Sequence, residues 1–258
     1  MLFPRLIPVL LVRSGRLEKS EKFARWTYVG DVLNAIKIFN EKDVDEVVVL
    51  DVDATREGRG PDLRMLEHLA GECFMPLAYG GGIASAETAR AVMECGVEKV
   101  VLNSAAWARP QLVTEVASVL GSSSTVVSVD VASVRKRMLR YDHVTRSVAK
   151  KVDLLERVTQ LVDAGAGEVL VQSQDRDGTQ GGPDLPMLAS LTAGLTVPVV
   201  YAGGIASLDD AVAVWRTGVN GVAAGSWFVF RGPHRAVLIT YPKYEAITDA
   251  FERVRSTQ

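Results

Sequence analysis

Residues 81–85 read Gly81-Gly82-Ile83-Ala84-Ser85, and residues 203–207 repeat them as Gly203-Gly204-Ile205-Ala206-Ser207, an offset of 122. The same offset carries Pro61-Asp62-Leu63 onto Pro183-Asp184-Leu185, Met65-Leu66 onto Met187-Leu188, and Gly96-Val97 onto Gly218-Val219. It also carries Asp31, Glu46, Asp53 and Ser104 onto Asp153, Glu168, Asp175 and Ser226. A register held over so long a span marks an internal duplication. Around it, short β-branched runs fall at residues 5–12, 46–51, 76–79, 99–103, 125–130, 168–173, 198–201 and 221–225. Amphipathic stretches at 31–42, 62–73, 86–96, 111–120, 153–164, 184–193, 208–218 and 244–254 separate or follow them. That is the pattern of buried parallel strands covered by helices. Two four-strand halves, neither able to close alone, together predict a (βα)8 TIM barrel with a twofold half-barrel repeat. The halves are expected near residues 1–122 and 123–258 of a single domain. The repeat disfavours the alternative, an open doubly wound sheet.

The length of 258 residues and the 48% hydrophobic content suit one barrel core. A net charge of −2 and a pI near 6.0 give no global attraction to nucleic acid or anionic lipid. The dense basic segment from Arg135-Lys136-Arg137 to Lys150-Lys151, interrupted by Tyr141 and His143, is read as a solvated hairpin rather than a nucleic-acid site. Cys73 and Cys95 lack a CxxC spacing and are expected as two buried thiols. His68, His143 and His234 share no ligand spacing, so neither metal nor cofactor is expected. Residues 1–12 contain Pro4, Arg5 and Pro8, too short an apolar run for a signal or membrane segment, and are read as the first strand. A soluble, cytoplasmic protein is expected.

In such a barrel the chemistry sits on the loops after the strands, and a duplication places two equivalent sites there. Gly81 and Gly82 follow one strand and precede a helix start, so their backbone N–H groups can approach an anion closely. Asn103 and Ser104, after the next strand, add side-chain donors. The second copy offers Gly203 and Gly204, then Gly225 and Ser226, with Asp177 and Gly178 on the preceding loop. Two cups predict a ligand with two phosphates. Trp107 and Trp227, just beyond the cups, are expected to pack in the core.

These residues, with Ile7-Pro8-Val9-Leu10-Leu11-Val12, Ser128-Val129-Asp130 and Gln174-Asp175-Arg176-Asp177-Gly178-Thr179, resemble the cyclase subunit of imidazole glycerol phosphate synthase over essentially the whole chain. A related isomerase of histidine synthesis shares the half-barrel repeat. The resemblance implies closure of an imidazole ring on a bisphosphorylated ribulosyl aminoimidazole carboxamide nucleotide. The ammonia for it is released by a separate glutaminase subunit.

The family uses two carboxylates as general acid and base, at the ends of strands one and five. Asp130 matches the second, but Leu11 stands where the first belongs, and a leucine cannot transfer a proton. Arg13, two residues on, is always protonated and is a poor base. Lys19, on the long first loop, matches a lysine the family uses near the substrate. Gln172 and Ala202 replace small hydroxyl residues.

At the opposite end, Arg5, Glu46, Lys99 and Glu168 each open a strand and match the charged ring that gates ammonia in the cyclase. Glu98 matches an acidic residue at the glutaminase interface on that N-terminal face. An ammonia entrance kept beside a lost acid resembles cyclase-like paralogues of bacterial surface-sugar pathways, in which the barrel supplies a separate sugar amidotransferase. Residues 28–31 (YVGD), 38–42 (IFNEK) and 238–242 (LITYP) look like that group. Two alternatives remain open, an ordinary histidine-pathway cyclase using another acid, and a scaffold barrel that conducts nothing.

Overall fold

The first run of the sequence forms the strand Arg5–Arg13, buried on both faces. Leu6, Leu10 and Val12 point outward to the helices, while Ile7, Val9 and Leu11 point into a separate apolar cluster. Successive strand residues face opposite sides, so a strand covered on both faces is apolar throughout. Seven further parallel strands follow: Val47–Asp51, Leu77–Gly80, Lys99–Leu102, Thr125–Val134, Glu168–Ser173, Val199–Ala202 and Gly221–Ala224. Each pairs with the next, and the last returns to the first from Arg5↔Gly221 to Pro8↔Ala224, which closes the (βα)8 barrel. The computed structural model describes residues 3–135, 137–150 and 152–255, so Lys136 and Lys151 of the basic segment lie outside the described residues.

The duplication is visible in the backbone. Asp31 and Asp153, Asp62 and Asp184, and Ser85 and Ser207 are paired N-caps, each accepting from the N–H three residues on. Gly81 and Gly203 share φ values of 129° and 126°, and Gly82 and Gly204 share 69° and 80°.

The core has two parts. The larger fills the space between strands and helices, with Tyr79, Tyr201, Phe39 and Phe228 fully buried. The smaller is the bore, where Ile7, Val48, Ala78, Val101, Val126 and Leu170 meet, with Trp26 and Leu50 packed against them. Trp107 and Trp227 are buried as expected, and the Trp107 Nε1 donates to the Ser128 carbonyl at 3.0 Å.

Element ends differ from the sequence reading by a few residues, and three features depart from it. The long first loop is a hairpin, Arg16–Glu21 against Arg25–Gly30, that extends strand one antiparallel. Strand five likewise runs on to Val134 and pairs with Arg137–Asp142, which pairs in turn with Ser147–Ala149, so the expected hairpin continues the barrel wall. Cys73 and Cys95 are free and only half buried, because both sit at helix C-termini facing the rim. Among the described residues, no helix is long and apolar enough to cross a membrane.

Gly204 and Gly218 separate crowding from backbone strain. A Cβ on Gly204 would lie 2.1 Å from the Gly182 carbonyl oxygen at φ +80°, whereas one on Gly218, at φ +93°, meets nothing within 4 Å. Gly218→Ala should cost about 1–2 kcal/mol of stability from its left-handed backbone alone, and Gly204→Ala about 3–4 kcal/mol. Urea unfolding of both variants measures the difference, and equal losses would show that the Gly182 contact yields freely.

Candidate functional site

The strand period of two sorts the bore into layers. Arg5, Glu46, Lys99 and Glu168 are the inward positions at the N-terminal end, in phase with Ile7, Val48, Val101 and Leu170 above them. They form a closed ring. Arg5 binds Glu46 and, at 2.6 Å, Glu168, while Lys99 Nζ lies 3.0 Å from Glu46 and 3.5 Å from Glu168. Burial opposes the charge on Arg5, but Glu168 and Glu46 outweigh it, so its pKa is raised. Two charges of each sign satisfy one another, which a buried cluster requires. Glu98 stands exposed beside the ring on the same face.

At the C-terminal end the inward positions open into two cavities, with Gln172 lining both. The first, about 950 Å³ including its solvent-open part, brings together Gly81, Gly82, Asn103, Ser104, Leu11 and Asp130. The Ser104 hydroxyl is buried with no protein partner, as a donor reserved for a ligand would be. Gly82 N donates to Thr55 Oγ1 at 3.3 Å, a long bond that an anion could replace. Arg59 grips the Asp51 carboxylate at 2.9 and 3.2 Å, and Asp51 accepts from the Asp53 and Ala54 N–H groups, which fixes the loop below this cup. Arg13 is held by Asp53 through Nε and by Glu18 through one terminal nitrogen, and lies over the Trp26 ring at 4.3 Å.

The second cavity, about 360 Å³, is lined by Asp177, Gly178, Gly203, Gly204, Gly225, Ser226 and Lys19. Asp177 accepts from Lys19 Nζ at 2.6 Å, from the Ser20 hydroxyl and from Phe23 N. An ionised carboxylate only accepts, so Asp177 contributes to an anion site by holding Lys19 and the first hairpin in place. The Lys19 stem runs across Gly225, where a Cβ would come within 2.7 Å of it. Lys19 thus lines the second cup and Asp130 the first, so the structure does not bring these two candidate catalytic residues into one cavity.

The sequence reading gave no site role to His143, which reaches Asp130 beside Asn103. Asp142 Oδ1 accepts from Val144 N at 2.9 Å and Thr145 N at 3.2 Å, closing the tip of the strand-five hairpin. Burial pushes the Asp142 pKa up, but these bonds and the charge and hydrogen bond of Arg140 outweigh it and leave the pKa lowered. The turn delivers His143 into the first cavity, its Nδ1 3.2 Å from Asp130 Oδ2, where Asn103 Nδ2 also donates at 3.0 Å. Tyr141 packs its edge against Phe23 of the first hairpin, centroids 5.8 Å apart. Burial lowers the His143 pKa, but the hydrogen bond and charge of Asp130, with Asp142, outweigh it and leave it raised. The aromatic and basic residues around His143 were its only signal in the sequence.

Comparison with known proteins was consistent over the same span. A family model described as histidine biosynthesis protein matches residues 5–233. The chain is 46% identical over 253 residues to a Leptospira interrogans protein provisionally named imidazole glycerol phosphate synthase subunit HisF, covering 95% of this chain and 97% of that protein. It is 43% identical over 244 residues to the provisionally named subunit hisF2 of Pseudomonas aeruginosa, covering 92% and 95%. With imidazole glycerol phosphate synthase subunit HisF of Hyphomonas neptunium it shares 38% identity over 231 residues, covering 89% and 91%.

Magnetic resonance titration should place His143 above the ordinary value of 6.5, and Asp130→Asn should lower it. A folded value above the unfolded one means that this contact stabilises the fold fully below the ordinary histidine range. That contribution is lost as pH rises through the raised value, and Asp130→Asn should flatten the slope. An unchanged His143 titration in the variant would contradict the pairing.

Proposed function

The chain belongs to the histidine biosynthesis protein family, among the HisF-type cyclase subunits of imidazole glycerol phosphate synthase, and on that premise we propose that it is an ammonia-conducting subunit that has left ring closure. In this reading a glutaminase docks on the N-terminal face around Glu98, and ammonia passes the ring of Arg5, Glu46, Lys99 and Glu168 into the apolar bore. A neutral, small molecule crosses such a bore far more easily than ammonium, which pays the cost of charge burial. The final acceptor is a bacterial surface sugar, amidinated by a separate amidotransferase.

One juxtaposition carries the reading. The charged ring is complete at one end of the bore, while at the other Leu11 fills the position of a proton-transferring carboxylate and joins the bore cluster. Leu11 is only 3% exposed, so its packing, like its chemistry, belongs to the bore. The wall beside it differs as well, with Gln172 and Ala202 both inward. Tyr28 and Leu238, in the stretches that resemble the surface-sugar group, stand 60% and 55% exposed, as side chains kept for a partner would. A histidine-pathway cyclase is the second reading, favoured by the retention of both cups and Asp130.

With free ammonia and the ribulosyl nucleotide, the purified chain should show no ring closure. Leu11→Asp should recover little or none, although a positioned acid or base is typically worth about 10²–10⁴-fold. The altered wall explains this, since misplacement of about 1 Å can cost about 10²-fold by itself. Wild-type turnover at ordinary cyclase rates, or rescue of a cyclase-deficient histidine auxotroph, would overturn the proposal in favour of the second reading. In the complex with its glutaminase, Lys99→Met should uncouple glutamine hydrolysis from ammonia delivery, and a fully coupled variant would point to a scaffold.

A further inference from the structure

Past strand eight and the short helix Ser226–Val229, the chain turns back on itself in a ribbon, Phe230–Arg231 against Ala236–Val237, with Arg235 N donating to the Gly232 carbonyl at 3.0 Å. Residues 231–234 and 236–238 are exposed, but Arg235 is half-buried, its guanidinium lying 4.6 Å from the centroid of the buried Phe230 ring. From there it donates to the Gly178 carbonyl at 2.9 Å and to the Ser226 hydroxyl at 3.4 Å, and both of these residues line the second cavity. Both acceptors are neutral. Among the described residues, Arg235 has no ion-pair partner. The carboxylate that lines the cavity, Asp177, is already bonded to Lys19 Nζ at 2.6 Å, so that pair cancels and Arg235 gives this end of the barrel an unbalanced positive charge.

Ser226 is 4% exposed, and its hydroxyl accepts the long bond from Arg235 while its own proton has no acceptor among the described residues. A buried hydroxyl proton and a guanidinium, both short of a negative acceptor, point to an anion at one place. The repeat gives this arginine to one cup only. Ser226 is the copy of Ser104, whose hydroxyl has no partner, whereas the position equivalent to Arg235 is Val113, buried in the helix Gln111–Leu120.

We propose that Arg235 is the specificity-determining residue of the second cavity, selecting a ligand that places a dianionic phosphate monoester there over one that places a monoanionic group. The proposal goes beyond the function proposed above and is independent of which reading of it holds, because it concerns the anion alone. Donors come from three separate elements, the glycine turn Gly203–Gly204 after strand seven, Ser226 after strand eight, and the ribbon through Arg235. The three terminal oxygens of a phosphate can accept from all of them, whereas the two oxygens of a planar carboxylate leave one set unmet. At a given distance a single cation attracts a dianion twice as strongly as a monoanion. A guanidinium has five N–H donors, of which the bonds to Gly178 and Ser226 use two, so it is held in place with donors to spare.

Amide resonances of the full chain separate the cavities, with Gly204 and Ser226 reporting the second and Gly82 and Ser104 the first. The probes are glycerol 3-phosphate (a monoester), dimethyl phosphate (a monoanionic diester) and inorganic phosphate. At pH 7.5 glycerol 3-phosphate should bind the second cavity about 10-fold or more tighter than dimethyl phosphate, and its affinity should fall as pH drops through about 6, where it takes up its second proton. Arg235→Gln should weaken glycerol 3-phosphate there by about 10-fold or more, bring it close to dimethyl phosphate, and leave the first cavity's response unchanged. Arg235→Lys keeps the charge and should restore most of the preference. Equal weakening of all three probes in Arg235→Gln would show that the arginine only props the ribbon on Gly178, and would overturn the proposal. An unchanged preference in that variant, or no binding to the second cavity of the wild type, would overturn it too. Binding of inorganic phosphate with glycerol 3-phosphate excluded would mark a site for the free ion and refute the monoester.

Discussion

The constraint on which this structure depends is the alternation of side chains along eight strands that close on themselves. Closure removes every sheet edge and buries both faces, so each strand contributes one series to the outer core and one to the bore. The inward series is ordered by height. It begins with Arg5, Glu46, Lys99 and Glu168, passes through aliphatic layers, and ends with Leu11, Asn103, Asp130 and Gln172. A shift of one residue in any strand would exchange its inward and outward sets, so the ring, the apolar passage and the cavities share one register.

The charged ring and the apolar layers depend on each other. Glu46 and Glu168 are 3% and 8% exposed, and Arg5 and Lys99 pair with both of them. Among the described residues, the bore side chains between the ring and Ser128, Asp130 and Gln172 are apolar. Leu11 extends that apolar stretch up to the mouth on one side.

The duplication built two similar cups, and the hairpins made them different. On the first-loop hairpin, Lys19, Ser20 and Phe23 converge on Asp177 and close the second cup, while the strand-five hairpin reaches Asp130 in the first. The hairpins touch through Phe23 and Tyr141, so the covers of the two cavities are mechanically joined. Tyr79 and Tyr201, equivalent by the repeat, show the same divergence at the level of one hydroxyl. Tyr201 accepts from Asp184 N and is pushed up to about 12, whereas the buried Tyr79 hydroxyl has no partner.

Sequence alone determined the barrel and placed the glycines of both cups just after their strands, because periodicity, capping and glycine turns are local properties of the backbone, whereas Leu11 and the four ring residues were singled out by the family resemblance. Asp31, Asp62 and Ser85 announce helix starts by chemistry acting within four residues, and their copies do the same. What only the tertiary structure decided lies where distant loops meet over the mouth. Lys19 and Asp177 are 158 residues apart in the chain, and no pattern tells whether that aspartate faces a ligand or holds a lysine. His143 is 13 residues from Asp130, yet its direction depends on how far strand five continues, where the Asp142 turn falls and what Tyr141 packs against. A hairpin tip has no burial period to fix its side chains, so its partner is set by the closed barrel beneath it and the neighbouring hairpin beside it.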